Sequence, residues 1–339
     1  YKAEYNANPL SPSIMCADPT AVEYNGRLYV YGTNDQQQAE EGTKNDYAHI
    51  KSLVVFSTDD MVNWIYHGRI NVGEIAPWIY NSWAPSIAAR VEDDGLTHFY
   101  LYFSNGGAGV GVITSTDPVG PWSDPLGEPL VYQNMPGLEN CPAPFDPGVC
   151  IDDNGVGWLA FGGGVDADSG KIHSNVPKVA RLGEDMLSFD SEFVSIDAPY
   201  FFEASELNYI DGKFYLTYCS NWQPREEWSD EYSPYEMPQM CTMCYMVSDD
   251  PLKTDSWEYK GEYLMNPTYY GLSFSNNHTH LQEFGGKYYL FYQNVSLLDN
   301  MHLNGASGYR SMNVDALEVD TKKSEFKMGT MTSKGGEQL

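Results

Sequence analysis

Hydrophobic and polar positions alternate along most of this chain, and glycine-containing turns interrupt the alternation at regular intervals. A period of two predicts strands, and no long stretch carries the period of a helix. One unit recurs five times: a strand-like run, a tight turn, then a second strand rich in aromatics. Its copies start at Asp18, Ala84, Asp146, Glu203 and His278, and their turns carry Asn25-Gly26, Asp94-Gly95, Asn154-Gly155, Asp211-Gly212 and Gly285-Gly286. Such pairs supply the positive φ that a two-residue hairpin turn needs. A third segment follows, ending in a polar turn and an aromatic, as in Phe56–Trp64, Ile113–Trp122 and Val247–Trp257, with a weaker copy at Arg181–Phe189. Together with a fourth strand this predicts a four-stranded unit.

The turn glycines stand 69, 60, 57 and 74 residues apart. Units of that size fill the chain with no linker between them, which predicts one domain over residues 1–339. Five copies of a hairpin-based sheet around an axis make a five-bladed β-propeller, an all-β fold. A β-sandwich would give no reason for five equal copies.

The register of the repeat then locates candidate chemistry. In a propeller the first strand of each blade lines the central channel, and all first strands run the same way. Asp18 and His278 lie 8 residues before their turn glycines, and Ser86, Asp146 and Glu203 lie 9 before theirs. Three carboxylates, a serine and a histidine thus share one repeat position and are expected to converge at one mouth. Each acid interrupts an apolar neighbourhood, and buried acids need compensation, which points to function. The plainer alternative is three acids that cap strands or bind a cation on the axis. Crowded carboxyl groups must split their pKa values, and glycoside hydrolysis uses such a split: one group protonates the leaving oxygen, another activates water or attacks carbon. Glu203 follows Phe201-Phe202, an apolar wall that favours the protonated form, so it is assigned the general acid. Asp18 is then the general base, and Asp146 tunes Glu203 and holds the substrate.

Composition narrows the partners. With 47 acidic against 19 basic residues the formal charge is −28, which repels phosphate backbones and anionic lipid. Nucleic acid and membranes are therefore not expected partners, whereas a neutral oligosaccharide meets no such repulsion. No apolar run approaches the roughly 18 residues of a spanning helix. Of six cysteines, Cys241 and Cys244 form a lone C-x-x-C without a second pair or an adjacent His, which reads as buried thiols rather than zinc or redox chemistry.

Several motifs, in order and in register, carry a family likeness: Ala17-Asp18-Pro19, Trp83-Ala84-Pro85, Phe145-Asp146-Pro147, Phe202-Glu203-Ala204, Asn276-Asn277-His278 and Gly308-Tyr309-Arg310-Ser311. Over nearly its whole length the sequence resembles glycoside hydrolase family 43. Gly120-Pro-Trp-Ser-Asp-Pro125 and the run from Ala198 to Glu206 resemble its branch of arabinoxylan arabinofuranohydrolases and bifunctional β-xylosidases. The resemblance implies an inverting mechanism with Asp18 as base, Asp146 as pKa modulator and Glu203 as acid. It implies a structural calcium (Ca2+) in the channel near His278, a pocket shaped by Trp83, and an arginine, Arg310, that reaches the substrate and a site carboxylate. Asn34, just after its strand, is a further pocket candidate. The expected substrate is an arabinoxylan-derived oligosaccharide, cleaved at terminal arabinofuranosyl and also xylosyl residues. Rival readings are an endo-acting arabinanase, a retaining fructan-processing propeller and a non-catalytic sugar-binding propeller. Long loops at Asp35–Ile50 and Trp222–Met240 favour a closed pocket and exo action. No carbohydrate-binding module is expected. With thiols that look free and no visible leader, a cytoplasmic location is the expectation, secretion with a removed signal the alternative.

Overall fold

A computed structural model describes residues 8–164, 170–225, 227–301 and 308–336. It is a five-bladed β-propeller. The first sheet runs in the order β1 (Ala17–Tyr24), β2 (Arg27–Thr33), β3 (Leu53–Thr58) and β4 (Ile65–Ile70). The second contains β5 (Trp83–Val91), β6 (Thr97–Ser104), β7 (Gly109–Ser115) and β8 (Val131–Tyr132). The third contains β9 (Gly148–Ile151), β10 (Gly157–Phe161), β11 (Lys178–Arg181) and β12 (Val194–Ser195). The fourth contains β13 (Phe201–Ile210), β14 (Lys213–Ser220), β15 (Met243–Ser248) and β16 (Glu258–Leu264), and the fifth β17 (Thr279–Phe284), β18 (Lys287–Asn294) and β19 (Ser311–Ala316). Every named pair is antiparallel. The first strands β1, β5, β9, β13 and β17 touch in sequence, and β17 returns to β1.

Among the described residues the apolar core forms five wedges, one between each pair of neighbouring blades, and a small sixth cluster of Met15, Leu297, Leu298 and Tyr309. On β2, Val30 packs into the wedge shared with the fifth blade, while Tyr31 packs into that shared with the second. On β6, Leu101 and Phe103 face the first blade, while Tyr100 and Tyr102 face the third. Strands buried on both faces read as continuous apolar runs. This is why the second strands carry aromatics at consecutive positions.

The turns divide into two kinds. Asn25-Gly26, Asp211-Gly212 and Gly285-Gly286 have positive φ at both residues, as a two-residue turn with primed geometry needs. In the second and third blades only Gly95 and Gly155 are left-handed, and the loops are longer. There the Asp94 carboxylate accepts the Leu96 N–H, and Asp152 accepts those of Asn154 and Val156, replacing backbone partners.

The fifth sheet departs from the expected four strands. It pairs three, and the later strands β20 (Val319–Asp320) and β21 (Glu325–Phe326) pair only with each other. The edge of β19 is instead covered by residues 8–16. The Leu10 N–H donates to Met312 O at 2.9 Å, and the Cys16 N–H to Arg310 O at 2.8 Å. The Asn8 amide brackets Val314, accepting its N–H at 2.8 Å and donating to its carbonyl at 3.0 Å. Covering this edge removes the unpaired backbone groups that it would present and closes the ring.

Candidate functional site

Three blades begin alike. Asp18, Ala84 and Asp146 each precede a proline and have φ of 50°, 37° and 51°. The β1–β2 register slips between Ala17 and Thr20, and the β5–β6 register between Trp83 and Ser86. A left-handed non-glycine residue costs about 1–3 kcal/mol and persists where its surroundings over-determine it. Here neighbouring blades do so. Thr33 Oγ1, at the end of β2, accepts the Ala84 N–H at 2.7 Å and donates to Asp18 Oδ2 at 2.6 Å. Ser104 Oγ, at the end of β6, accepts the Asp146 N–H at 2.8 Å. Asp146 Oδ2 accepts the Ala204 N–H at 2.7 Å, tying the residue after Glu203 to the third blade. Gln293 Oε1 accepts the Asp18 N–H at 2.6 Å and links the fifth blade back to the first.

A second tier lies two residues along the first strands. Thr20 Oγ1 accepts the Ile87 N–H, and Ser86 Oγ accepts the Val149 N–H. A side chain at Gly148 would meet the Glu206 and Leu207 backbone at 2.6 Å. Glu206 and His280 pair at 2.5 Å, both buried.

The acids sit in opposed fields. Burial alone would raise the Asp18 pKa, but the Arg310 guanidinium, then His278 and the Thr33 hydroxyl, outweigh it and hold Asp18 well below the usual carboxylate range. Arg310 Nη1 donates to Asp18 Oδ1 at 2.9 Å, and His278 Nδ1 stands 3.4 Å from the same oxygen. Burial opposes protonation of His278, but Asp18 and Asp146 overcome this and lift it to about 8. Glu203 moves the other way. Burial and the neighbouring Asp146 charge push its carboxyl up to about 8. Asp146 is raised by burial to about 6, with His278 opposing.

Arg310 is itself clamped. Asp35, in the short helix α1 (Asp35–Ala39), accepts Nε at 3.0 Å, Nη2 at 2.9 Å and the Arg310 backbone N–H at 2.9 Å. The Tyr47 ring lies 4.8 Å from the guanidinium carbon and edge-on to Trp83 at 6.0 Å. Trp83 Nε1 donates to Tyr47 O at 3.1 Å. On the Glu203 side Phe202, Trp222 and Phe274 meet edge to face. Both long loops therefore reach this mouth.

The sequence profile of glycosyl hydrolases family 43 matches residues 7–312. The chain belongs to that family. It is 38% identical over 328 residues to an arabinoxylan arabinofuranohydrolase of Paenibacillus polymyxa, a match covering 92% of this chain and 50% of that protein. The chain thus spans half the length of that relative. Its fold superposes with a TM-score of 0.90, at 34% identity, on a family 43 arabinoxylan arabinofuranohydrolase from Bacillus subtilis in complex with cellotetraose, covering all of this chain and 70% of the other. An α-L-arabinofuranosidase from Clostridium thermocellum aligns at 33% identity and a TM-score of 0.71, over 95% of this chain and 96% of the other.

In this family 43 propeller the structure brings Asp18, Asp146, Glu203, His278, Trp83 and Arg310 to one mouth. Two expectations change. Ser86 belongs to the second tier with Thr20, and Ala84 occupies the blade-two position equivalent to Asp18 and Asp146; Glu203 stands one residue before that position, which Ala204 holds in the fourth blade, its φ 63° and its N–H bound by the preceding blade. Asn34, the further pocket candidate, is fully buried and donates to Ser52 Oγ at 2.8 Å. Asp35, Tyr47, Thr33 and Gln293 were not singled out from the sequence. A usable signal existed for two of them: second strands end in Thr33-Asn34, Ser104-Asn105 and Gln293-Asn294, so a hydroxyl or amide recurs where it holds the first strand of the next blade. Among the described residues no group of three or more His, Cys, Asp or Glu side chains could hold a metal ion.

Proposed function

We propose that this chain is an inverting, exo-acting glycoside hydrolase that releases terminal α-L-arabinofuranosyl residues, and also β-D-xylosyl residues, from arabinoxylan-derived oligosaccharides. The observation that carries the reading is two carboxyl groups at one mouth in opposed surroundings, Asp18 ringed by Arg310, His278 and Thr33, and Glu203 beside the Asp146 carboxyl group. Glu203 keeps its proton near neutral pH and donates it to the leaving glycosidic oxygen. Asp18 stays ionised and takes a proton from the attacking water. A carboxylate offers about four lone-pair sites, and Arg310, His278 and Thr33 address three of those on Asp18, which leaves one for water. Asp146 adds charge that holds the proton on Glu203, and its bond to Ala204 N–H fixes that strand. Tyr47 and Trp83 on one side, with Phe202 and Trp222 on the other, supply walls suited to a terminal sugar. The names of the relatives, including a Clostridium enzyme of matching length, support the arabinofuranosyl substrate.

The test is product analysis by NMR on arabinoxylo-oligosaccharides and on p-nitrophenyl arabinofuranoside and xyloside. The first-formed sugar is expected with inverted anomeric configuration. A first product of retained configuration would remove the water-activating role of Asp18, and release of internal fragments would replace exo with endo action.

Calcium is part of the proposal only as a largely hydrated ion. It takes six to eight oxygens, and the channel presents Glu206 with its partner His280, while His278 turns Nδ1 to Asp18. These side chains would supply a minority of its ligands, with water the rest, and no catalytic step runs through it. Elemental analysis of the purified protein, and melting before and after chelation, test its presence.

A further inference from the structure

We infer that Asp35 is a positioning residue for the hydrolytic step: it occupies the two-pronged face of the Arg310 guanidinium, so that Asp18 receives a single N–H. This rests on the reading of Asp18 as general base.

A guanidinium and a carboxylate prefer two parallel hydrogen bonds. Were Arg310 free to choose, it would fork onto Asp18, the other buried carboxylate that it contacts. Both Asp18 oxygens would then be engaged, and the Thr33 bond and the lone pair for water would compete with the fork. The structure prevents this by giving the fork to Asp35, through Nε at 3.0 Å and Nη2 at 2.9 Å. Only Nη1 remains, and it meets Asp18 Oδ1 at 2.9 Å.

Asp35 is held for the task. It is fully buried, and Asn45 Nδ2 donates to its Oδ2 at 3.0 Å while also donating to Gly308 O. Asn45 Oδ1 accepts the Tyr47 N–H, and Tyr47 in turn lies against the guanidinium. The insertion between β2 and β3 thus fixes the arginine from both its edge and its face. The helix lies in the connection between the second and third strands of the first blade, beside the base.

The experiment is a double-mutant cycle on kcat and KM with arabinoxylo-oligosaccharides, comparing the parent, Asp35→Asn, Arg310→Met and the double variant, with Asp18→Asn as control. Misplacing a reacting group by about 1 Å costs about 10²-fold, so Asp35→Asn is expected to lower kcat by about that factor with KM little changed. In the Arg310→Met background the same change is expected to have no further effect on kcat, because Asp35 acts only through the arginine. A structural role alone would lower melting temperature and lower kcat equally in both backgrounds. Parent-like kcat in Asp35→Asn, or equal losses in both backgrounds, overturns the inference. Should Asp35→Asn fail to fold, Asn45→Ala, which removes one bond to Asp35, is expected to give a smaller loss of kcat that again vanishes with Arg310→Met; a loss that persists there is the overturning result. If Asp18→Asn keeps activity, the base assignment fails; if it is inactive while Asp35→Asn is parent-like, only the role of Asp35 fails.

Discussion

Replacing Asp146 by Asn should move the alkaline limb of the pH–rate profile to lower pH. Glu203 holds its proton to about pH 8, partly through burial and partly because the neighbouring Asp146 is negative. Asp146 itself is lifted only to about 6, so it is charged across the interval in which Glu203 titrates. For any two like charges about 6 Å apart at an effective dielectric of about 20, Coulomb's law gives about 3 kcal/mol, or about 2 pKa units. The limb in kcat/KM should therefore fall from near 8 towards about 6. An Asn at this position can still accept the Ala204 N–H through its carbonyl, and the bond from the residue 146 backbone N–H to Ser104 Oγ is untouched, so the geometry is largely kept. The assay is arabinose release from an arabinoxylo-oligosaccharide across pH 4.5 to 9, since a sugar leaving group needs the proton. An activated p-nitrophenyl substrate should show a smaller effect. An alkaline limb that stays in place or moves upward would refute the charge coupling between Asp146 and Glu203.

Glu203→Ala should lose most activity on natural glycosides and keep more on p-nitrophenyl substrates, compared by kcat/KM; equal losses count against Glu203 as acid. Glu203→Gln should flatten the pH dependence of stability: the folded-state pKa is raised from 4.5 to about 8, so the parent loses stability as pH rises through that window, and thermal melts at pH 5 and 9 should converge in the variant. Gly148→Ala puts a Cβ 2.6 Å from the backbone of the fourth blade, and it should cost about 1–3 kcal/mol, seen as a lower melting temperature at constant pH.

Much of the fold was legible because a propeller repeats its own solution. Turn pairs such as Asn25-Gly26 and Asp211-Gly212 impose one backbone geometry, and the aromatic second strands follow from burial on both faces. Two of the acids were legible for the same reason: Asp18 and Asp146 hold one position in that repeat, which Ala204 holds in the fourth blade, with Glu203 one residue before it. What escaped is what the repeat does not contain. Asp35 and Tyr47 come from an insertion in one blade, and their roles depend on Arg310 arriving from the far end of the chain. The fourth strand expected in the last blade failed because residues 8–16 cover that edge through amide and backbone contacts without pairing as a regular strand. Ser86 was misplaced because the first strand of the second blade pairs over two more residues before its loop than that of the third, so a fixed count back from the turn glycine stops two residues short of Ala84.

The meeting of residues 8–16 with β19 has a consequence for biosynthesis. Asp18 and Arg310 are 292 positions apart, yet they share a hydrogen bond across this seam. On the proposed reading a nascent chain carries its base, Asp18, from the first blade onward but has no arginine to set it until the last blade leaves the ribosome. In the proposed mechanism four folded blades are therefore a scaffold without a working base, and turnover would begin only when the two distant segments meet. Hydrolysis thus reports topological closure: a loosened seam should silence the enzyme before its sheets melt.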